Sequence, residues 1–105
     1  MNETNKFLNN IINDIFKLLP MKEDALEGVD NQLDTYIQDV VTNMRGAAKE
    51  YPILSADKYY MYAINKLRCL NEDDIPFSLY RKTILDTIAT IKRLSKEYEV
   101  IQNDK

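Results

Sequence analysis

Few residues in the chain have a claim to chemistry. Glu72, Asp73 and Asp74 form the run "EDD", three adjacent carboxylates of the kind that ligate magnesium or calcium or take part in hydrolysis. Their spacing serves neither use. A calcium loop needs oxygen ligands at alternating positions, a central glycine and a closing glutamate, and this stretch supplies none of them. The run reads instead as a solvated turn ahead of a helix. Cys69, the single cysteine, adjoins Arg68, but a catalytic thiol also needs a base. No histidine occurs in the 105 residues, which excludes His-based acid/base catalysis, Ser-His and Cys-His nucleophile pairs and His-ligated metals. One cysteine rules out thiolate zinc sites as well. The two glycines, Gly28 and Gly46, are too isolated to cradle a phosphate. The expectation is a protein that is not an enzyme, with no catalytic residue, cofactor or metal.

Charge narrows the partners. Arg81, Lys82, Lys92, Arg93 and Lys96 project over a broad sector of the last helix rather than along a ridge, and the net charge is -3, so nucleic acid is not the expected partner. Residues 1 to 40 hold three lysines against eight carboxylates, whereas residues 76 to 105 hold six basic against four acidic residues. An acidic front and a mildly basic rear suit head-to-tail packing of identical subunits; pairing within one molecule explains the asymmetry equally well. A lone cysteine forms no internal disulfide, and "MNETNKFLNNIINDIF" has neither a charged leader nor a long apolar core. No apolar run approaches the roughly 20 residues of a membrane helix. A soluble protein in a reducing, intracellular setting is expected, with no membrane contact.

The segments that carry these residues read as all-helical. Strand alternation closed by Asn-Gly or Asp-Gly is absent, and each of the three prolines falls between apolar-periodic segments. Helix one opens at Thr4 as N-cap, carries Leu8, Ile11, Ile12, Ile15, Leu18 and Leu19 on one stripe, and stops at Pro20. "MKEDALEGVD" makes a loop or one short turn, with Gly28 ending it and Asp30 capping helix two, which runs from about Asn31 towards Tyr51. Helix three follows Pro52, capped by Ser55, over roughly Ala56 to Leu70. Helix four puts Phe77, Tyr80, Ile84, Thr87, Ile91, Leu94, Tyr98 and Ile101 on one seam and is the longest element. These make one domain over residues 1 to 105, an all-α, four-helix bundle-like fold with a long C-terminal helix. At about 1.5 Å per residue, helices one and three are too short to match helix four, so its end overhangs and leaves Tyr98, Val100 and Ile101 either frayed or in contact with another molecule.

"KYYMYAINKLRCL", Lys58 to Leu70, holds more apolar and aromatic side chains than one helix face accommodates. Tyr60, Ala63, Ile64, Leu67 and Leu70 collect on one side, with Tyr59 at the margin. Met61, Tyr62 and Cys69 fall outside that face, as do Leu79 and Leu85 on helix four. A central bundle helix touching neighbours on two sides accounts for them; so does a protein-binding surface, where tyrosine and methionine are enriched.

A short first helix ending "KLLP", an acidic connection, "VDNQLDTYIQDVV" leading an amphipathic helix, and two further helices together resemble the head-tail connector (adaptor) proteins of tailed bacteriophages, over roughly Phe16 to Leu94. The resemblance implies a subunit of a ring below the portal, joining capsid to tail without catalysis, made in the host cytoplasm and incorporated in a virion. The chain differs in its long last helix and in the short tail after Ile101. The expected function is thus a structural subunit acting through protein-protein contacts, in a homo-oligomer or a larger assembly. Its interface residues would be Met61, Tyr62, Cys69, Leu79, Leu85, Tyr98 and Ile101. Two alternatives stand beside it: a small inhibitor or adaptor binding one host protein, anti-defence or regulatory, and a small-ligand binder whose pocket Tyr59, Tyr62 and Tyr80 line.

Overall fold

Apolar residues recurring at three- and four-residue spacing form six helical segments in a computed structural model that describes residues 3–71 and 75–103, with side chains as far as Glu99. They are α1 (Glu3–Phe16), α2 (Leu18–Leu26), α3 (Leu33–Glu50), α4 (Pro52–Ser55), α5 (Lys58–Cys69) and α6 (Phe77–Asn103). The chain runs up through α1 and α2, down α3, up α5 and down α6. α2 touches α1, α3 and α6 but not α5, and α5 touches α3, α4 and α6, so the α1/α2 column stands diagonally across the bundle from α5. The fold is all-α and bundle-like, with the long C-terminal helix that the seam from Phe77 onward implies. One buried cluster joins the stripes of all six segments, with Leu8, Ile37, Met44, Leu54, Ile64 and Ile84 among its members.

Pro20 acts differently from expectation. α1 ends at Phe16, Lys17 interrupts the helix, and Leu18–Leu26 resume as α2 with Pro20 in the first turn. A proline ring clashes with the carbonyl four residues earlier, here Phe16, yet its missing N–H is no loss in a first turn. Helical bonding spans the interruption through Lys17 N–H to the Asn13 carbonyl and Met21 N–H to the Lys17 carbonyl, both 3.2 Å. The acidic stretch expected as a loop is therefore largely helix.

Gly28 ends α2, as its position suggests. Its φ is +92°, its N–H donates to the Ala25 carbonyl at 3.1 Å, and Val29 N–H donates to the Asp24 carbonyl at 3.0 Å, which together make a Schellman cap. Three other caps are corrected. Thr4 lies inside α1, which includes Glu3. Asp30 does not cap α3: its Oδ1 accepts from Gln32 N–H at 3.4 Å, and Gln32 itself is the left-handed N-cap residue at φ 56° without a side-chain bond. Ser55 closes α4, its Oγ donating to the Pro52 carbonyl, while Asp57 caps α5 by accepting from Tyr59 N–H at 2.9 Å and Tyr60 N–H at 3.1 Å.

The expected overhang at Tyr98 is also corrected. α1 and α2 together run antiparallel to α6, and Asn5, buried in α1, donates through Nδ2 to both the carbonyl and the Oγ of Ser95. On the other flank the Tyr98 hydroxyl donates to Asp57 Oδ2 at 3.1 Å, with the Ile53 carbonyl at 3.3 Å as second acceptor. Tyr98 is only 6% exposed, and its hydroxyl reaches the Ile53 carbonyl of α4. The side chains of Val100 and Ile101 lie outside the described residues, as do Glu72, Asp73 and Asp74.

The two glycines respond oppositely to the same change. Gly28→Ala places a Cβ on a positive-φ residue and lowers stability by about 1–2 kcal/mol. Gly46→Ala, mid-helix with nothing within 4 Å of its new Cβ, raises stability by about 0.5–1 kcal/mol. Urea midpoints of the two variants, moving in opposite directions from the parent, check both signs.

Candidate interaction groove

The Asp57 cap sets where α5 begins, and the buried stripe Tyr60, Ala63, Ile64 and Leu67 sets its rotation. The outer stripe is then Tyr62 and Cys69, seven residues apart. In α6 the buried seam Tyr80, Ile84, Thr87 and Ile91 sets the rotation, which turns Leu79, Lys82, Thr83 and Asp86 towards α5. Where the two helices meet on the solvent side they leave a groove of about 450 Å³. Tyr62, Cys69, Ile75 and Leu79 supply its apolar lining, and Lys66, Lys82 and Asp86 its charges. A recess of about 50 Å³ continues it past Tyr62 and Lys66 to Tyr59 and Thr90.

Cations lie against the tyrosines along this seam. Lys66 Nζ is 5.0 Å from the Tyr62 ring centroid, and the Arg93 guanidinium reaches across from α6 to within 4.6 Å of the Tyr59 centroid. Such exposed contacts contribute about 0.5–1 kcal/mol each, enough to hold rings against the surface without burying them. Lys82 Nζ pairs with Asp86 Oδ2 at 3.0 Å one turn on. Among the described residues the seam carries Lys58, Lys66, Lys82 and Arg93 against Asp86, while Glu72, Asp73 and Asp74, between the lining residues Leu70 and Ile75 in sequence, lie outside them.

Of the residues expected at an interface, Tyr62, Cys69 and Leu79 come together here, Tyr62 60% and Leu79 51% exposed. Met61 and Leu85 are exposed but stand elsewhere: Met61 is about 100° around α5 from Tyr62, and Leu85 about 240° around α6 from Leu79. Tyr98 belongs to the core. Sequence reasoning did not single out Ile75, or Lys66 and Lys82 as the rim, because these depend on how α5 and α6 pair. It also passed over the exposed Phe16, Leu26 and Val29. For Leu26 and Val29 the available signal was their position flanking Gly28, at the tip of a turn.

The three tyrosines expected to line one ligand pocket are separated. Tyr80 is fully buried in the core, with Lys22 Nζ 5.2 Å above its ring, while Tyr59 and Tyr62 face the outer seam. Burial, and then the charge of Asp34, push the Tyr80 hydroxyl from 10.0 up to about 12. Burial likewise raises Tyr60, whose hydroxyl donates to the Met44 carbonyl at 2.6 Å, and Tyr98, beside Asp57. The Tyr80 hydroxyl finds no hydrogen-bond partner among the described residues.

Among the described residues, no group of three or more Cys, Asp or Glu is placed to hold a metal ion, and no helix is long and apolar enough to cross a membrane. Comparison with known proteins returns no matching family model, no matching curated protein and no matching solved structure.

Tyr80 generates a prediction with two readouts. Tyr80→Phe removes a buried hydroxyl that has no partner, so it is neutral or stabilises by about 1 kcal/mol, whereas Tyr60→Phe, which loses a made bond, destabilises by a similar amount. The pH dependence follows from the raised Tyr80 value. Below 10.0 both folded and unfolded forms keep the proton and its contribution is constant; between 10.0 and about 12 the unfolded form alone loses it, so stability falls as pH rises. Denaturant unfolding measured across that window should show a shallower decline for Tyr80→Phe than for the parent.

Proposed function

We propose that this protein works through protein-protein contact, as a non-enzymatic subunit of a larger assembly, and that the α5/α6 groove is its contact surface. The observation that carries the reading is the convergence of Tyr62, Cys69 and Leu79. They are leftovers of two helical stripes that the core does not use, yet they meet in one groove with a charged rim. An apolar centre that includes an aromatic ring, ringed by polar groups that exclude water once covered, is the anatomy of a binding surface. The absence of histidine from the whole chain favours contact over catalysis. From the sequence resemblance to phage head-tail connectors alone, we propose that the assembly is a ring of such subunits.

Tyr62→Asp and Leu79→Asp test the reading. Both residues are more than half exposed, so the variants should keep the parent's helical circular dichroism and a melting temperature within a few degrees. In sedimentation velocity they should lose the assembly that the parent forms. Collapse of the fold in both variants would make the positions core and end the interface reading. An unaltered assembly would move the contact to another face, and capture of one unrelated protein at equal stoichiometry would replace self-assembly with an inhibitor or adaptor role.

A further inference from the structure

The groove has a complementary shape elsewhere on the same molecule. Residues 23–34, from the second turn of α2 to the first of α3, carry Glu23, Asp24, Glu27, Asp30 and Asp34 and no basic residue. The Schellman cap at Gly28 folds this stretch into a tight tip, on which Leu26 is 61% and Val29 51% exposed. It is a knob with two aliphatic side chains among carboxylates. The α5/α6 groove is a trough with aliphatic and aromatic lining beside Lys66, Lys82 and Asp86, with the Arg93 guanidinium over Tyr59 further along the seam.

Resting on the proposed contact function, we infer that the groove receives the acidic α2–α3 turn of a second copy of this chain. Position supports the match. No residue of 23–34 lines the α5/α6 groove, and α2 has no contact with α5, so a molecule's own turn does not fill its own groove. Both features nevertheless lie towards the same end of the bundle: Lys22 of α2 sits over Tyr80 of α6, one residue from Leu79 in the groove. Knob and trough on opposite flanks at one level place copies side by side, in a head-to-tail contact that continues from copy to copy and closes into a ring when the rotation permits.

Charge selects this trough over the other large one. The groove between α1 and α3, about 550 Å³, is lined by Asp14 and Glu50 with no basic residue, and repels an acidic turn. In the α5/α6 groove, Leu26 and Val29 would cover Leu79 and Tyr62 while Glu23 and Glu27 reach Lys66 and Lys82. The apolar contact supplies affinity and the charges orient it.

Two charge-reversed proteins test the inference. One carries Lys66→Glu and Lys82→Glu, the other Glu23→Lys and Glu27→Lys. Each alone sets like charges against each other and should sediment as a 12.3 kDa monomer with helical content intact. Mixed in equal amounts they restore both pairings, groove-reversed against turn-reversed and parent turn against parent groove, and the assembly should return. A Val29→Cys variant adds a covalent readout, since on oxidation it should form intermolecular disulfides with the native Cys69. If Leu79→Asp disperses the assembly but neither reversed protein does, the groove is the interface and the acidic turn is not its occupant, which overturns the inference alone. If neither change disperses it, both the inference and the proposed contact surface fall. A parent that is monomeric throughout also overturns the inference.

Discussion

A helix as long as α6 has to be covered along its whole seam, and the rest of the bundle is arranged by that requirement. At about 1.5 Å per residue its 27 residues extend about 40 Å, and no other segment among the described residues is as long. Cover therefore comes in pieces. α1 and α2 take one flank as a nearly continuous column, because Pro20 restarts the helix where it would have been expected to end it. α5 takes the other, and α4 meets the end of the seam through the Tyr98 hydroxyl. Polar contacts set the register of these pieces: Asn5 with Ser95 at one junction, and the Asp57 carboxylate at the other. Asp57 uses one oxygen to cap α5 and the other to accept from Tyr98, so the start of one helix and the end of another are tied through a single side chain.

The same division of α6 explains why a groove exists. Its inner seam is spent on the core, and α5 meets it only along the inner edge of each helix. Residues just outside the two edges are not part of the core, and here they include Tyr62, Cys69 and Leu79 beside the charged Lys66, Lys82 and Asp86.

Much of this architecture is legible in the amino-acid sequence, and what escapes does so for physical reasons. The buried stripes through Ile37 and Met44, and through Ile84 and Ile91, follow from local periodicity, and Gly28 from a backbone conformation that few other residues adopt. Pro20 is ambiguous because proline both ends helices and begins them. Ser55 and Asp57 are both competent caps two residues apart, and Ser55 is taken up by α4, which leaves Asp57 to cap α5 and to accept from Tyr98. Tyr98 reads as a spare residue because its polar partners, Ile53 and Asp57, sit in a single turn and a cap without a periodic signature. The groove was half visible: its residues stood out as surplus to each helix, but their meeting depends on how α5 and α6 pair.

The proposed seating of the acidic turn beside Lys66 and Lys82 in the α5/α6 groove makes this chain self-associating. The most direct measurement is the molar mass of the unmodified protein by light scattering, over a wide concentration range and at low and high salt. The account predicts a mass that climbs above 12.3 kDa with concentration and falls back as salt screens the charges. A mass fixed at 12.3 kDa under every condition would contradict it.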